Sequence, residues 1–218
     1  MLLLAFDTST PAVTVALHDG QAVVAQEYAI DARRHGELLS VFIDKVLHSA
    51  GASQADLSSV AVGTGPGPYT GLRAGLVTAR VLASALGIPA DGICSLDVIA
   101  AQARQEWSNP AGGFLVATDA RRREVYWARY TAAAERVEGP AAGFPAALPD
   151  GLPVAGEGAV LYPELTALPL APLYPSAAVL AGLAAARIAA GLAPQPPEPL
   201  YLRRPDAREP GKPKRVTP

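Results

Sequence analysis

Residues 2 to 6 are apolar without a break, the pattern of a strand covered on both faces. Residues 12 to 18 alternate instead, with Val13, Val15 and Leu17 on one side. Asp19-Gly20 then supplies a turn into a third run from Ala22 to Ala29. Beyond it the apolar period lengthens from two to 3.6 and back again. It predicts a helix from about Gly36 to Ala50, a strand at Ser59 to Gly63, a helix at Gly71 to Leu86 and a short strand near Asp91 to Cys94. A helix near Leu96 to Glu106 leads into strands at Phe114 to Thr118 and Glu124 to Tyr130, separated by Arg121-Arg-Arg123. From 132 to 175 the pattern fades into Ala, Pro and Gly, with weak strands and a short helix near Ala159 to Leu168. Ser176 is placed to cap a last helix to Ala190, closed by Gly191 and Pro194. Residues 203 to 218 carry six Lys/Arg against two acids among many prolines, which predicts an extended basic tail.

Two of these helices are more apolar than one buried stripe requires. At about 100° per residue, Leu72, Leu76, Leu82 and Leu86 share a face, while Val77 and Val81 lie nearly opposite. Arg73, Arg80 and Ser84 form a strip between them. The earlier helix spreads Leu38, Leu39, Phe42, Ile43, Val46, Leu47 and Ala50 over about 180° where about 100° suffices. The surplus has two readings. Either the helices cover each other within one chain, or they meet a second chain.

Composition narrows the classes. With 218 residues, half of them hydrophobic at 50%, the chain can bury one good core or two small ones. A net charge of −2 argues against gripping nucleic acid through a broad basic face. One cysteine, Cys94, forms no internal disulfide, and no charged-then-apolar leader opens the sequence, so a reducing cytoplasm is expected. Met1-Leu-Leu-Leu is too short to span a membrane.

The segment Gly63-Thr-Gly-Pro-Gly-Pro-Tyr-Thr-Gly-Leu-Arg73 joins a strand to a helix through a backbone that needs unusual angles. The usual phosphate loops do not match it. Gly71 is followed by Leu72-Arg73 rather than Lys-Ser/Thr, and Gly65-x-Gly67 reaches its next glycine one residue late. Pro66 and Pro68 also remove two N–H donors. Gly65-Pro-Gly-Pro-Tyr-Thr-Gly-Leu-Arg73 instead resembles the GPGSFTGxR signature of the TsaB (YeaZ) family of tRNA-modification proteins. Pro68 and Tyr69 stand where that family commonly has Ser and Phe. Leu4-Ala-Phe-Asp-Thr-Ser-Thr10 is similar to its opening strand and turn, and Asp119-Ala-Arg-Arg-Arg-Glu-Val-Tyr-Trp127 to its DAR-x-x-EVYWA element, which covers Asp119, Arg121, Glu124 and Tyr126. The similarity extends to Arg34-His35 and to Pro199-Leu-Tyr-Leu-Arg203, and so covers most of the chain.

The resemblance implies an α/β fold of two ribonuclease H-like lobes, as in the actin-like ATPase superfamily, with the second lobe reduced. The βββαβαβ order of the first elements agrees with it. Residues 1–95 would form the first lobe, 96–195 the second, and 196–218 the tail. It further implies a non-catalytic partner of TsaD and TsaE in forming N6-threonylcarbamoyladenosine at position 37 of tRNAs reading ANN codons. ATP and metal would be held by the partner subunits, and tRNA met through the complex. The family pairs, with itself or with TsaD, through its first-lobe helices. On this chain those correspond to Leu39, Phe42, Ile43, Val46, Arg73, Leu76, Val77, Arg80, Val81 and Ser84.

Catalytic constellations are sparse. The related TsaD subunits carry a His-x-x-x-His metal motif, whereas His18, His35 and His48 have no histidine four residues away. His35, beside Arg33 and Arg34, reads as a solvated helix-start residue. Asp7, with Thr8 and Ser9, stands where the superfamily holds metal-bound phosphate, but an Asx-turn or cap at the strand end is the simpler reading. No Gly-x-Ser-x-Gly elbow occurs, and Cys94 lies in an apolar setting. Asp119, Arg121 and Glu124 suit either a surface ion-pair cluster or a contact with TsaD or tRNA. A weak ATPase or a degenerate metallopeptidase is the alternative function.

Overall fold

Strands whose residues are apolar on both sides need cover on both sides, and the computed structural model supplies it. It describes residues 1–107, 112–166 and 169–203. The chain opens with β1 (Leu3–Asp7), β2 (Ala12–His18), β3 (Val23–Ile30), α1 (His35–Ser49), β4 (Ser59–Gly63), α2 (Tyr69–Leu86) and β5 (Ala90–Ile93). The sheet order is β3-β2-β1-β4-β5, antiparallel from β3 to β1 and parallel from β1 to β5. The expected turn at Asp19-Gly20 holds because Asp19 Oδ1 accepts the N–H groups of Gln21 and Ala22, each at 2.8 Å. Leu4, Phe6, Val13, Val15, Leu17, Val60 and Val62 point to one side of this sheet, where α1 and α2 lie.

The opposite side is covered from the far end of the sequence. Leu3, Ala5 and Ala61 pack on Leu180, Ala181, Ala184 and Ala185. These belong to α5 (Ala177–Ala189), which packs on the first sheet although it lies within the 96–195 segment. Its alanines allow the close approach, and α5 is what lets β1 be apolar throughout.

The second sheet follows α3 (Ser95–Glu106) and contains β6 (Phe114–Asp119), β7 (Val125–Tyr130), β8 (Arg136–Gly143) and β9 (Val154–Ala155). A single turn, α4 (Gly158–Leu161), precedes β10 (Pro169–Leu170) and α5 (Ala177–Ala189). Its order is β10-β9-β6-β7-β8. α3 covers one face with Leu96, Ile99, Ala100 and Ala103 against Phe114, Val116, Ala128 and Tyr130. Two-residue β9 and β10 make this the reduced lobe. The helix expected over 159–168 stops after Leu161 because Pro163 cannot continue it; a 3₁₀ turn, Pro163–Leu165, follows, and 167 and 168 lie outside the described residues. β8 escapes sequence reading because it is an edge strand: it tolerates Pro140 and a Gly139 at φ +82° that a central strand would exclude. Ser176 precedes α5 without a side-chain cap bond. The basic tail lies outside the described residues from 204 onward, whereas 195–203 pack on the body.

Candidate functional site

β1 ends in Asp7, whose carboxylate is 1% exposed. Oδ1 accepts the N–H and the hydroxyl of Ser9, both at 2.7 Å, and Oδ2 accepts the Ser95 hydroxyl at 2.5 Å. Ser95 Oγ in turn accepts the N–H of Gly65 at 3.1 Å. Burial pushes the Asp7 carboxyl above its ordinary value, while the hydrogen bonds from Ser95 and Ser9 pull it back. Next to it, Thr8 Oγ1 donates to the carbonyl of Gly71 at 2.7 Å and accepts the N–H of Gly75 at 3.1 Å. His35 is buried rather than solvated, because its Nε2 donates to the carbonyl of Thr10 at 2.8 Å.

The glycine spacing explains the loop. Gly63, Gly67, Gly71 and Gly75 recur every fourth residue, and a Cβ on any of them would come within 2.5 Å of Asp7, Ser9 or Thr8. These glycines admit the chain's own strand-end turn. Gly65 adds a φ of +81° that favours glycine. Gly65, Pro66 and Gly67 are buried, Tyr69 is half-buried and Thr70 is exposed at the start of α2.

Three motifs remote in sequence converge beside this knot. Tyr69 and Tyr201 are in ring contact, with centroids 4.9 Å apart. The Arg73 guanidinium lies over both rings and its Nε donates to Tyr201 Oη at 2.9 Å. Tyr69 Oη donates to the carbonyl of Arg203 at 3.1 Å. Arg203 donates to the carbonyl of Ala120 at 2.6 Å and pairs with Glu124 at 3.2 Å. Asp119, in the same hairpin, accepts the Arg121 N–H and the Tyr162 hydroxyl and pairs with the Arg121 side chain at 3.2 Å. Arg121, Arg122 and Arg123 hold φ values of 64°, 56° and 63°, a conformation costing roughly 1–2 kcal/mol per residue. Tyr126 is buried below, and burial raises its hydroxyl pKa. Sequence reading noted Tyr201 and Arg203 within a motif but gave them no role. Ser95 carried no signal at all, being one serine at a strand-to-helix junction.

The helix residues expected at a partner interface divide sharply. Leu39, Phe42, Ile43, Val46 and Leu76 are 1 to 5% exposed and lie in the first-lobe core, so they face their own sheet and not a second chain. The surplus width of α1 is taken up by the sheet and by α2. On α2, Val77 and Val81 stand out at 58% and 60% exposed, flanked by exposed Arg73, Arg80 and Ser84. On α1, Val41 is 48% exposed among Glu37, Asp44, Lys45 and His48.

Among the described residues no group of three or more His, Cys, Asp or Glu is arranged to hold a metal ion. Nor is any helix among them long and apolar enough to cross a membrane.

The family model "TsaD: tRNA N6-adenosine threonylcarbamoyltransferase" matches residues 24–152. An uncharacterized protein of Mycobacterium tuberculosis is 46% identical over 209 residues, covering 94% of this chain and 93% of the relative. The tRNA threonylcarbamoyladenosine biosynthesis protein TsaB of Escherichia coli is 37% identical over 130 residues, covering 60% of this chain and 55% of that protein. YeaZ from Pseudomonas aeruginosa superposes with a TM-score of 0.77 at 28% identity, over 92% of this chain and all of that one at 100%. Since the glycine loop, the strand-end turn and the second-lobe hairpin meet in a fold shared with YeaZ over nearly its whole length, this chain belongs to the TsaB (YeaZ) family.

Proposed function

We propose that the chain is a non-catalytic subunit in the formation of N6-threonylcarbamoyladenosine in tRNA, and that it acts by docking TsaD along α2. The observation that carries the docking is the exposed pair Val77 and Val81, on a helix whose Leu72, Leu76 and Ala79 already fill a core. Covering each contributes on the order of 1–2 kcal/mol, and the flanking Arg73 and Arg80 can pair with acidic groups of a partner. The same face serves a second copy when TsaD is absent. The requirement for TsaE, the choice of position 37 in tRNAs reading ANN codons, tRNA contact through the complex and a cytoplasmic setting are carried by the family resemblance.

The Asp7 knot supports the absence of chemistry here. Each carboxylate oxygen already accepts a hydrogen bond from this chain, and Asp7, Thr8 and Ser9 fill the space that the glycines leave. That ATP and metal are held by the partner subunits is carried by the family resemblance. A weak ATPase remains the rival because Asp7 ends the first strand. It requires nucleotide binding by the isolated chain and loss of hydrolysis in Asp7→Ala.

Reconstitution tests the proposal. TsaD and TsaE modify tRNA with the wild-type chain and not without it. Val77→Asp keeps its stability within about 0.5 kcal/mol, as an exposed helix substitution does, but loses TsaD binding because a buried unpaired charge costs several kcal/mol. Full modification without the chain, or undiminished TsaD affinity in folded Val77→Asp, would overturn the reading.

A further inference from the structure

Residues 195–203 cross the molecule as a strap. At one end Gln195 donates to Asp91 Oδ1 at 2.7 Å and its carbonyl accepts the N–H of Gly92 at 2.9 Å. Gly92 is needed there, since a Cβ would lie 2.7 Å from the Pro196 carbonyl. Midway, the Pro197 carbonyl accepts Arg80 Nε, and the Leu200 N–H reaches the Thr64 carbonyl, both at 2.9 Å. Tyr201 then takes Arg73, and Arg203 crosses to Ala120 and Glu124 in the other lobe. The Arg203–Glu124 pair is only 20% and 22% exposed, so solvent screens it less than a surface pair.

Arg73 and Arg80 are therefore anchored by the strap while flanking Val77 and Val81 on α2. The geometry points to the strap as the element that presets the docking face, with Arg203 as the positioning residue tying that face to the second-lobe hairpin. This rests on the α2 docking reading and adds its regulation. A charged fork anchored at both a carbonyl and a carboxylate does this work better than Lys, whose one ammonium nitrogen lacks the planar set of diverging donors. Release of Arg203 frees Tyr201, and release of Tyr201 takes away the acceptor of Arg73 Nε, so that the exposed Arg73 side chain gains a freedom that opposes docking.

Hydrogen exchange on the isolated chain and TsaD titration test the two halves separately, using Arg203→Ala, Arg203→Lys, Tyr201→Phe and Val77→Asp. Arg203→Ala is expected to speed exchange of the Leu200 amide by roughly tenfold or more with β1 still protected. It is also expected to weaken TsaD binding by up to about tenfold, the share of the two lost anchors that is coupled to docking. Arg203→Lys recovers part of both effects. Tyr201→Phe keeps the ring contact and weakens binding through Arg73 alone. Unchanged Leu200 exchange in Arg203→Ala overturns the strap. Faster exchange with wild-type affinity overturns its control of docking. If Val77→Asp also binds normally, the α2 reading has failed and this inference falls with it. If Val77→Asp alone loses binding, only the present inference is overturned.

Discussion

Replacing Asp7 by Asn separates a structural carboxylate from one kept ready for a ligand. The side chain is 1% exposed and burial holds its pKa above the ordinary 3.8. Between that value and the raised native one, the folded chain keeps the proton and the unfolded chain has lost it. Stability conferred below the unfolded pKa is therefore lost as pH rises through the native pKa. The slope reaches at most about 1.4 kcal/mol per pH unit and flattens above the native pKa. Asn has nearly the same shape, can accept from Ser9 and donate toward Ser95 Oγ, and does not titrate. Urea unfolding of both proteins from pH 3 to 8 gives the difference in stability directly. Asp97 and Glu157, whose carboxyls burial also raises, are common to both chains and cancel. The expected difference grows in favour of Asn as pH rises from about 4, then becomes constant. A pH-independent difference, or wild type gaining on Asn with rising pH, would refute the argument that burial outweighs the serine hydrogen bonds.

The core and exposed helix residues predict opposite costs. Phe42→Ala, at 5% exposure inside the α1 core, is expected to lose about 3–5 kcal/mol, whereas Val77→Ala stays within about 0.5 kcal/mol. Urea midpoints at equal slope check the ranking, and equal costs would contradict the assignment of faces. Two glycines should behave oppositely as well: Gly36→Ala on α1 meets open space and gains up to about 1 kcal/mol, while Gly67→Ala drives a Cβ into the Ser9 carbonyl and loses at least about 1–3 kcal/mol. Thermal unfolding of the pair decides it, and a stabilised Gly67→Ala would remove the steric account of the loop. Burial pushes the Cys94 thiol up to about 11, so native alkylation by iodoacetamide at pH 8 should be slower than in urea by on the order of 100-fold. Mass spectrometry of timed samples measures it, and fast native labelling would show the thiol open to solvent.

What the sequence disclosed follows from where each signal originates. Helix and strand periodicity is set by burial, so β1, β2, α1, β4 and α2 are readable from apolar spacing, with ends shifted by a residue or two. Periodicity does not say which surface buries a face. Periodicity therefore leaves both readings of Phe42 and Val77 open, and the family resemblance puts them on one interface although one lies in a core and the other in solvent. α5 shows the same limit across a longer distance: its pattern is plain, but its place on β1 is a contact between residues about 180 positions apart. Edge strand β8 and two-residue β9 and β10 lack a period to detect. Asp7 was visible as a strand-end acid, but its partner Ser95 is joined to it only in space.

The two halves of the site are one consequence of how α2 is seated. At about 100° per residue, Gly71, Gly75, Ala79, Leu72, Ala83 and Leu76 occupy an arc of about 140°. Gly71 and Gly75 edge that arc against Thr8, and the larger side chains fill the core beside them. Arg80, Arg73, Ser84, Val77 and Val81 occupy a separate arc of about 100° facing outward. A side chain at Gly71 or Gly75 would lift the helix off the strand end and open the hollow beside Asp7. With glycine there, the hollow closes on the chain's own residues, and the helix is fixed at a depth where both valines must project. Closing the strand end on the chain's own residues and presenting an apolar, arginine-flanked ridge outside are thus consequences of the same spacing of glycines.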